Sequence, residues 1–110
     1  MALKPIPLHI LLVLAEGDSH GYRIMQAIRT RTGGSVAVQT ASFYRHLGTL
    51  IDEGWVTEAS AKREGDDRRR GTYYRLTPRG RQVLSDEKRR LTDLVAQMKK
   101  IPLSAKKVPL

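Results

Sequence analysis

Apolar positions recur with a helical period between Thr40 and Trp55, the stretch TASFYRHLGTLIDEGW. With Phe43 set at zero and about 100° of rotation per residue, Phe43, Leu47, Leu50 and Ile51 fall within one arc of roughly 100°. The opposite arc holds Ala41, Ser42, Arg45, Gly48, Thr49 and Asp52, with Tyr44 and His46 on the flanks. The pattern predicts an amphipathic helix that ends at Gly54.

Upstream, Pro5 and Pro7 mark a helix start, and Leu8, Leu11, Leu12 and Ala15 follow at helical spacing. Gly17 is expected to end this helix in a left-handed conformation, with Asp18 or Ser19 capping the next one. A second helix is predicted from His20 to Arg31, offering Tyr22, Met25 and Ile28 to one face. Thr32-Gly33-Gly34-Ser35 reads as a turn, and Val36-Ala37-Val38 as a short piece of strand.

Downstream, WVTEAS and TYYRLT are rich in aromatic and β-branched residues and flank the charged stretch KREGDDRRRG. This predicts a β-hairpin with a long loop, in which Tyr74 and Leu76 share one face and Tyr73 and Arg75 the other. Thr77-Pro78 is a strong helix start, and the last helix should continue to about Lys100. Leu84, Leu91 and Met98 fall seven apart, with Leu94 and Ile101 at the matching positions and Glu87 interrupting the series. Pro102 closes the helix.

The predicted order is helix, helix, short strand, helix, hairpin, long helix. The expected fold is mainly α with a small β-hairpin, an α+β winged helix-turn-helix. Residues 1–77 would form this unit, 78–101 a C-terminal dimerisation helix, and 102–110 a flexible basic tail. A helix from Pro78 to Lys100 would be about 34 Å long, more than so small a unit can cover. Leu84, Leu91, Leu94, Val95 and Met98 are therefore candidates for burial against a second copy, the alternative being a helix folded back within one chain.

Charge adds a partner. Twenty Lys and Arg against eleven Asp and Glu leave +9 on 110 residues, with a pI near 10.4. Such an excess points to a polyanion, nucleic acid above all, or to a plainly basic surface. No helix combines a strongly basic face with bulky aromatic anchors, which argues against a membrane surface. No stretch is long enough to span a bilayer, and the N-terminus shows neither a basic n-region nor a cleavage site. With no cysteine in the chain, a reducing, cytoplasmic setting is the expectation.

Catalysis finds no support. There is no nucleophile elbow, phosphate loop or H-E-x-x-H pattern, and Asp66-Asp67 are adjacent only in sequence. The three histidines, 9, 20 and 46, lie in separate segments, so neither a metal nor any other cofactor is expected.

For DNA, the polar face of the third helix admits two readings: a solvated surface, or a surface that enters the major groove. In the second, Arg45 suits the paired acceptors of guanine, Ser42 and Thr49 suit bases or phosphates, and Ala41 and Gly48 permit close approach. Tyr44 and His46, at the flanks, suit backbone phosphates; Tyr44 can equally pack the helix edge. In the hairpin loop, Lys62, Arg63, Arg68, Arg69 and Arg70 outnumber Glu64, Asp66 and Asp67. The Arg68-Arg69-Arg70 run is the candidate contact of the wing, with Asp66-Asp67 forming the turn.

HILLVLAEGDSHGYRIM, SFYRHLGTLIDEGWV and TYYRLTPRGRQVL, in that order, resemble the PadR family of bacterial transcriptional regulators. The resemblance spans about residues 8 to 98. It rests on His20-Gly21-Tyr22, on Tyr44 with Leu47, Leu50 and Gly54, and on Tyr73-Tyr74 with Leu76-Thr77 and Gly80. It implies a winged-helix, dimeric DNA-binding regulator, usually a repressor, of the short branch with a single C-terminal helix. It also places Tyr44 and its neighbours in the recognition helix and Arg68 to Arg70 in the wing.

Two departures are visible. The last helix has no aromatic residue, so the aromatic-drug sandwich of members with a tryptophan there is not implied. Gln39-Thr40 stands where the family often has Ser-Pro, and Thr40 is expected to take the capping role. The expected function is a sequence-specific repressor binding double-stranded DNA at a palindromic operator as a homodimer. The alternatives are a sensor whose small-molecule effector, unidentified, releases DNA from the dimer interface, and an architectural module binding DNA without sequence choice.

Overall fold

A computed structural model describes residues 2–59 and 71–103. The elements are α1 (Pro5–Ala15), β1 (Ser19–His20), α2 (Gly21–Arg31), α3 (Thr40–Asp52), β2 (Val56–Ala59), β3 (Tyr73–Leu76) and α4 (Pro78–Lys99). The mainly α, α+β winged helix-turn-helix anticipated from the sequence is the observed fold.

α1 is apolar almost throughout and forms the central pillar. Ile10, Leu11, Val13 and Leu14 are buried, and α2, α3, α4 and β3 all pack on it. Such a helix buries more than one face, so the stripe read through Leu8, Leu11, Leu12 and Ala15 was too narrow: Leu11 is in the core, but so are Ile10, Val13 and Leu14, while Leu12 is exposed. From α2 come Ile24, Met25 and Ile28; from α3, Phe43, Leu47 and Leu50; from the strands, Val56 and Leu76. Ile51 is half-buried at the rim of this core.

The strands form one antiparallel sheet in the order β1-β3-β2. Val56 pairs with Leu76 and Ala59 with Tyr73, which is the expected hairpin. The third strand is where the sequence reading needs correction. Ser19 pairs with Tyr74 and His20 with Tyr73, whereas Val36–Val38 is not a strand. Two residues carry no periodicity of their own, so only pairing with β3 defines β1.

The helix boundaries follow local chemistry. Glu16 is the C-cap of α1, and Gly17 follows it with a positive φ of 151°, a conformation that favours glycine. Neither Asp18 nor Ser19 caps α2. His20 does so, its Nδ1 accepting from the Arg23 N–H at 3.3 Å. Tyr22 is 57% exposed, and Ile24 takes the inward position expected of it. At α4 the expectation holds: the Thr77 hydroxyl accepts from the Gly80 N–H at 2.9 Å, with Pro78 in the first turn.

Gly80 fixes how α4 leaves the sheet. A Cβ there would lie 2.1 Å from the Trp55 carbonyl oxygen and 2.7 Å from Leu76 Cδ1. Thr77 N also donates to Trp55 O at 3.0 Å and Thr77 Oγ1 to Gly54 O at 2.7 Å. The end of α3, the start of β2 and the start of α4 are thereby joined backbone to backbone, with no room for a side chain between them.

Glu87 is 2% exposed on α4 and points into its own chain. Arg90 donates to its two oxygens at 2.7 and 2.9 Å, and the Leu3 N–H donates to Oε2 at 2.9 Å. The residue that interrupts the apolar spacing is thus an internal clamp on the N-terminal segment.

Candidate nucleic-acid interface

α3 is held by its apolar face and presents the other. Phe43, Leu47 and Leu50 are at most 2% exposed. Thr40, Ala41, Tyr44, Arg45 and Thr49 are exposed, while Ser42, His46 and Gly48 are half-buried. The chain enters the helix from an anchored loop: Arg29 Nη2 donates to Val38 O at 2.9 Å, and Thr32 Oγ1 donates to Ile28 O at 2.8 Å. Val38 is buried in the core, so this connection cannot swing freely.

Thr40 does not cap the helix. Gln39 occupies the cap, without a side-chain hydrogen bond, and Thr40 is the first helical residue. A hydroxyl already inside the helix lacks the extended backbone from which a cap reaches the following N–H groups.

On the open face, Arg45 Nη2 reaches the Ser42 hydroxyl at 3.5 Å, and Thr49 Oγ1 donates to the Arg45 carbonyl at 3.2 Å. Ser42, Arg45 and Thr49 thus lie in one row, as the spacing predicts. The Arg45 contact is at the limit of hydrogen-bond length and is made to a neutral group. Other arginines are engaged: Arg31 with Glu16, Arg75 with Asp18, Arg90 with Glu87. Among the described residues Arg45 has no carboxylate partner, so its guanidinium fork remains available.

Tyr44 combines both readings offered by the sequence. Its side chain is 45% exposed, yet its ring meets Phe43 edge-on at 5.0 Å and lies over the first turn of α2. A Cβ on Gly21 would stand 2.5 Å from the Tyr44 hydroxyl oxygen. The absence of a side chain at Gly21 therefore sets where the phenol sits. Gly21 and Tyr44 belong to two of the motifs quoted above, and this contact is the physical link between them. Tyr44 also faces the sheet: burial first, then Tyr44 and Glu58, raises the pKa of Tyr74, opposed by a hydrogen bond with Thr72.

His46 lies on the opposite flank of α3. Burial, then the charges of Arg45 and Lys4, lower its pKa below the ordinary imidazole value. Lys4 and Ser35 share a pocket with His46. Nothing along the chain signals this approach, because residues 4, 35 and 46 belong to three separate segments.

The wing candidates Arg63, Arg68, Arg69 and Arg70 lie outside the described residues, as do residues 104–110 of the tail. On α4, Leu84 and Leu91 are half-buried, while Leu94, Val95 and Met98 are 43%, 47% and 48% exposed. With Leu8 and Leu12 of α1, Leu84, Leu91 and Val95 border a groove of about 700 Å³, which Arg81, Lys88 and Lys99 also line. Among the described residues there is no cluster of three or more metal-ligating side chains, and no helix long and apolar enough to cross a membrane.

Two antiparallel strands between an exposed amphipathic third helix and a long fourth one define a winged helix-turn-helix protein. The chain belongs to the transcriptional regulator PadR-like family, whose sequence profile matches residues 10–86. The resemblance seen in the three motifs is thereby confirmed, and members of the family are regulators of transcription rather than enzymes.

The chain is similar to a transcriptional regulator from Clostridium thermocellum, with 27% identity, a TM-score of 0.69, and coverage of 86% of this chain and 90% of that one. It shares its fold with a PadR family regulator from Clostridium difficile, with 22% identity, a TM-score of 0.71 and coverage of 88% and 97%. It is also similar to Bacillus subtilis PadR solved in complex with operator DNA, with 27% identity and a TM-score of 0.61. That match covers 76% of this chain and 46% of the other. No curated protein matches the sequence.

Proposed function

We propose that this regulator is a sequence-specific repressor that binds double-stranded DNA as a homodimer, with α3 as the reading helix. The observation that carries the proposal is the row of half-buried Ser42 with exposed Arg45 and Thr49 on a helix whose other side is locked into the core. Arg45, which has no carboxylate partner among the described residues, suits the O6 and N7 acceptors of guanine in the major groove. The similar Bacillus subtilis protein, solved with operator DNA, supports the same assignment. In this reading Thr40, Tyr44 and His46 contact the DNA backbone, and Arg63 with Arg68, Arg69 and Arg70 engages phosphates or the minor groove from the wing.

The homodimer rests on α4. Leu94, Val95 and Met98 on its C-terminal half, with Ile101 just beyond it, leave an apolar stripe 43% to 56% exposed. The groove bordered by Leu8, Leu12, Leu84 and Leu91 continues that stripe towards α1. A second copy covers both, and its two-fold axis sets two reading helices about 34 Å apart on a palindromic site. Residues 1–77 then serve as the DNA-binding unit, α4 as the dimer helix and 102–110 as a basic tail.

Fluorescence anisotropy with the chain's own promoter DNA and with random duplex, at fixed salt, tests the proposal. Preferential binding as two chains per site is expected; equal affinity for both duplexes supports the architectural alternative instead. The groove favours one further reading. A volume of about 700 Å³ with an apolar floor and basic residues on its walls suits a small organic effector. Titrating candidate compounds into the DNA complex tests this, and unchanged DNA affinity counts against it.

A further inference from the structure

We infer that Lys4, Ser35 and His46 form a phosphate-contact pocket beside the reading helix, through which the N-terminal segment supplies a cation to the DNA backbone. The inference rests on the DNA-binding reading above and adds to it a site on the flank of α3 remote from Tyr44.

Three elements converge there: the segment leading into α1, the loop before α3, and α3 itself. The pocket measures about 340 Å³, and Lys4, Ser35 and His46 line it with no acidic residue among the lining. An ammonium, a hydroxyl and an imidazole are the donors that a phosphate oxygen accepts from. Lys4 and Arg45 are the charged groups that face His46, and with burial they disfavour its protonation. Burial is the larger cause of that shift; the smaller part, the positive charges of Arg45 and Lys4, favours an anion there, and a bound phosphate would raise the His46 pKa.

The walls are held in place. A buried carboxylate is costly unless it is paired, and Glu87 uses one of its acceptors on the Leu3 N–H, next to Lys4. Arg90 satisfies the rest of that carboxylate. On the other side, Arg29 bonds the Val38 carbonyl three residues after Ser35, and Val36 N donates to Thr32 Oγ1 at 3.4 Å. A cationic side chain at the end of a pinned segment loses less freedom on binding than one on a free arm.

A DNA phosphodiester and free inorganic phosphate present the same oxygens, and the pocket's place on the flank of α3 favours the DNA. The test measures DNA affinity against salt for the full chain, Lys4→Ala and His46→Gln. It also follows the His46 ring resonances with duplex DNA and, separately, with inorganic phosphate. Lys4→Ala is expected to reduce the magnitude of the slope of log K against log salt by about 0.9, with the operator-to-random ratio unchanged. DNA should raise the His46 pKa, so affinity rises as pH falls from 8 to 6, and His46→Gln should remove that dependence. An unchanged slope with unmoved His46 resonances overturns the pocket, as does a response to inorganic phosphate alone. Equal affinity for operator and random duplex would instead sink the sequence-specific reading, and the slope and resonance shift would still decide the pocket on random DNA.

Discussion

Replacing Glu87 with glutamine tests how α4 grips the rest of the domain. Hydrogen bonds from Arg90, and then from the Leu3 N–H, hold the carboxyl well below its ordinary value of 4.5, at about 2, against the opposing effect of burial. A group with a depressed folded pKa stabilises the fold above its unfolded value and loses that contribution as pH falls through the folded one. The window here runs from about pH 4.5 down to about 2. At about 1.4 kcal/mol for each pH unit of that gap, the upper limit is ~3.5 kcal/mol. Arg90 is 39% exposed, so solvent screening brings the expected value down to about 1–2 kcal/mol. Urea unfolding at fixed protein concentration, from pH 7 to pH 2.5, reads it. Glu87→Gln should be less stable than the parent chain by about this amount at pH 7, and the gap should narrow steadily below about pH 4.5, with most of it lost by pH 2.5. Parallel pH profiles would refute the reasoning, because they would mean that Glu87 is not a paired, ionised group in the folded chain.

Three other substitutions probe close approaches and the exposed stripe. Gly80→Ala should destabilise by about 1–3 kcal/mol or more, because the new Cβ meets a backbone oxygen at 2.1 Å that no rotamer can move; a melting temperature equal to the parent's would contradict the packing of α4 on Trp55. Gly21→Ala should act differently. It displaces the Tyr44 ring, a movable side chain, so DNA affinity at fixed salt should fall by up to about tenfold, while stability changes by less than about 1 kcal/mol. Leu94→Glu places a charge in the apolar stripe and should convert a dimer to a monomer in sedimentation; an unchanged mass would show that the partner docks elsewhere.

What was legible in the sequence followed from local chemistry. Thr77-Pro78 sets the start of α4 because the cap bond and the proline ring act within one turn. The spacing of Phe43, Leu47 and Leu50 defines the buried face of α3 because no tertiary contact reverses it. What was missed depends on partners distant in the chain. Ser19–His20 is a strand only because β3 lies beside it. Glu87 looked like a break in a dimer seam, yet besides the neighbouring Arg90 its carboxylate holds the backbone of Leu3, 84 residues away. Ile24 rather than Tyr22 of α2 joins the core, while the Tyr44 ring lies against Gly21 in the first turn of that helix. Lys4 and Ser35 carry no motif, and only folding brings them to His46.

The central claim is that α3 reads bases through Arg45. The most direct test compares Arg45→Ala with the parent chain on operator and random duplex at one salt concentration. Loss of a bidentate guanine contact is expected to lower the operator-to-random affinity ratio by about 1–3 kcal/mol, roughly 5- to 150-fold, while binding to random duplex falls far less. An operator-to-random ratio equal to the parent's would contradict the account, since a helix that reads DNA cannot lose its base-contacting arginine without losing discrimination.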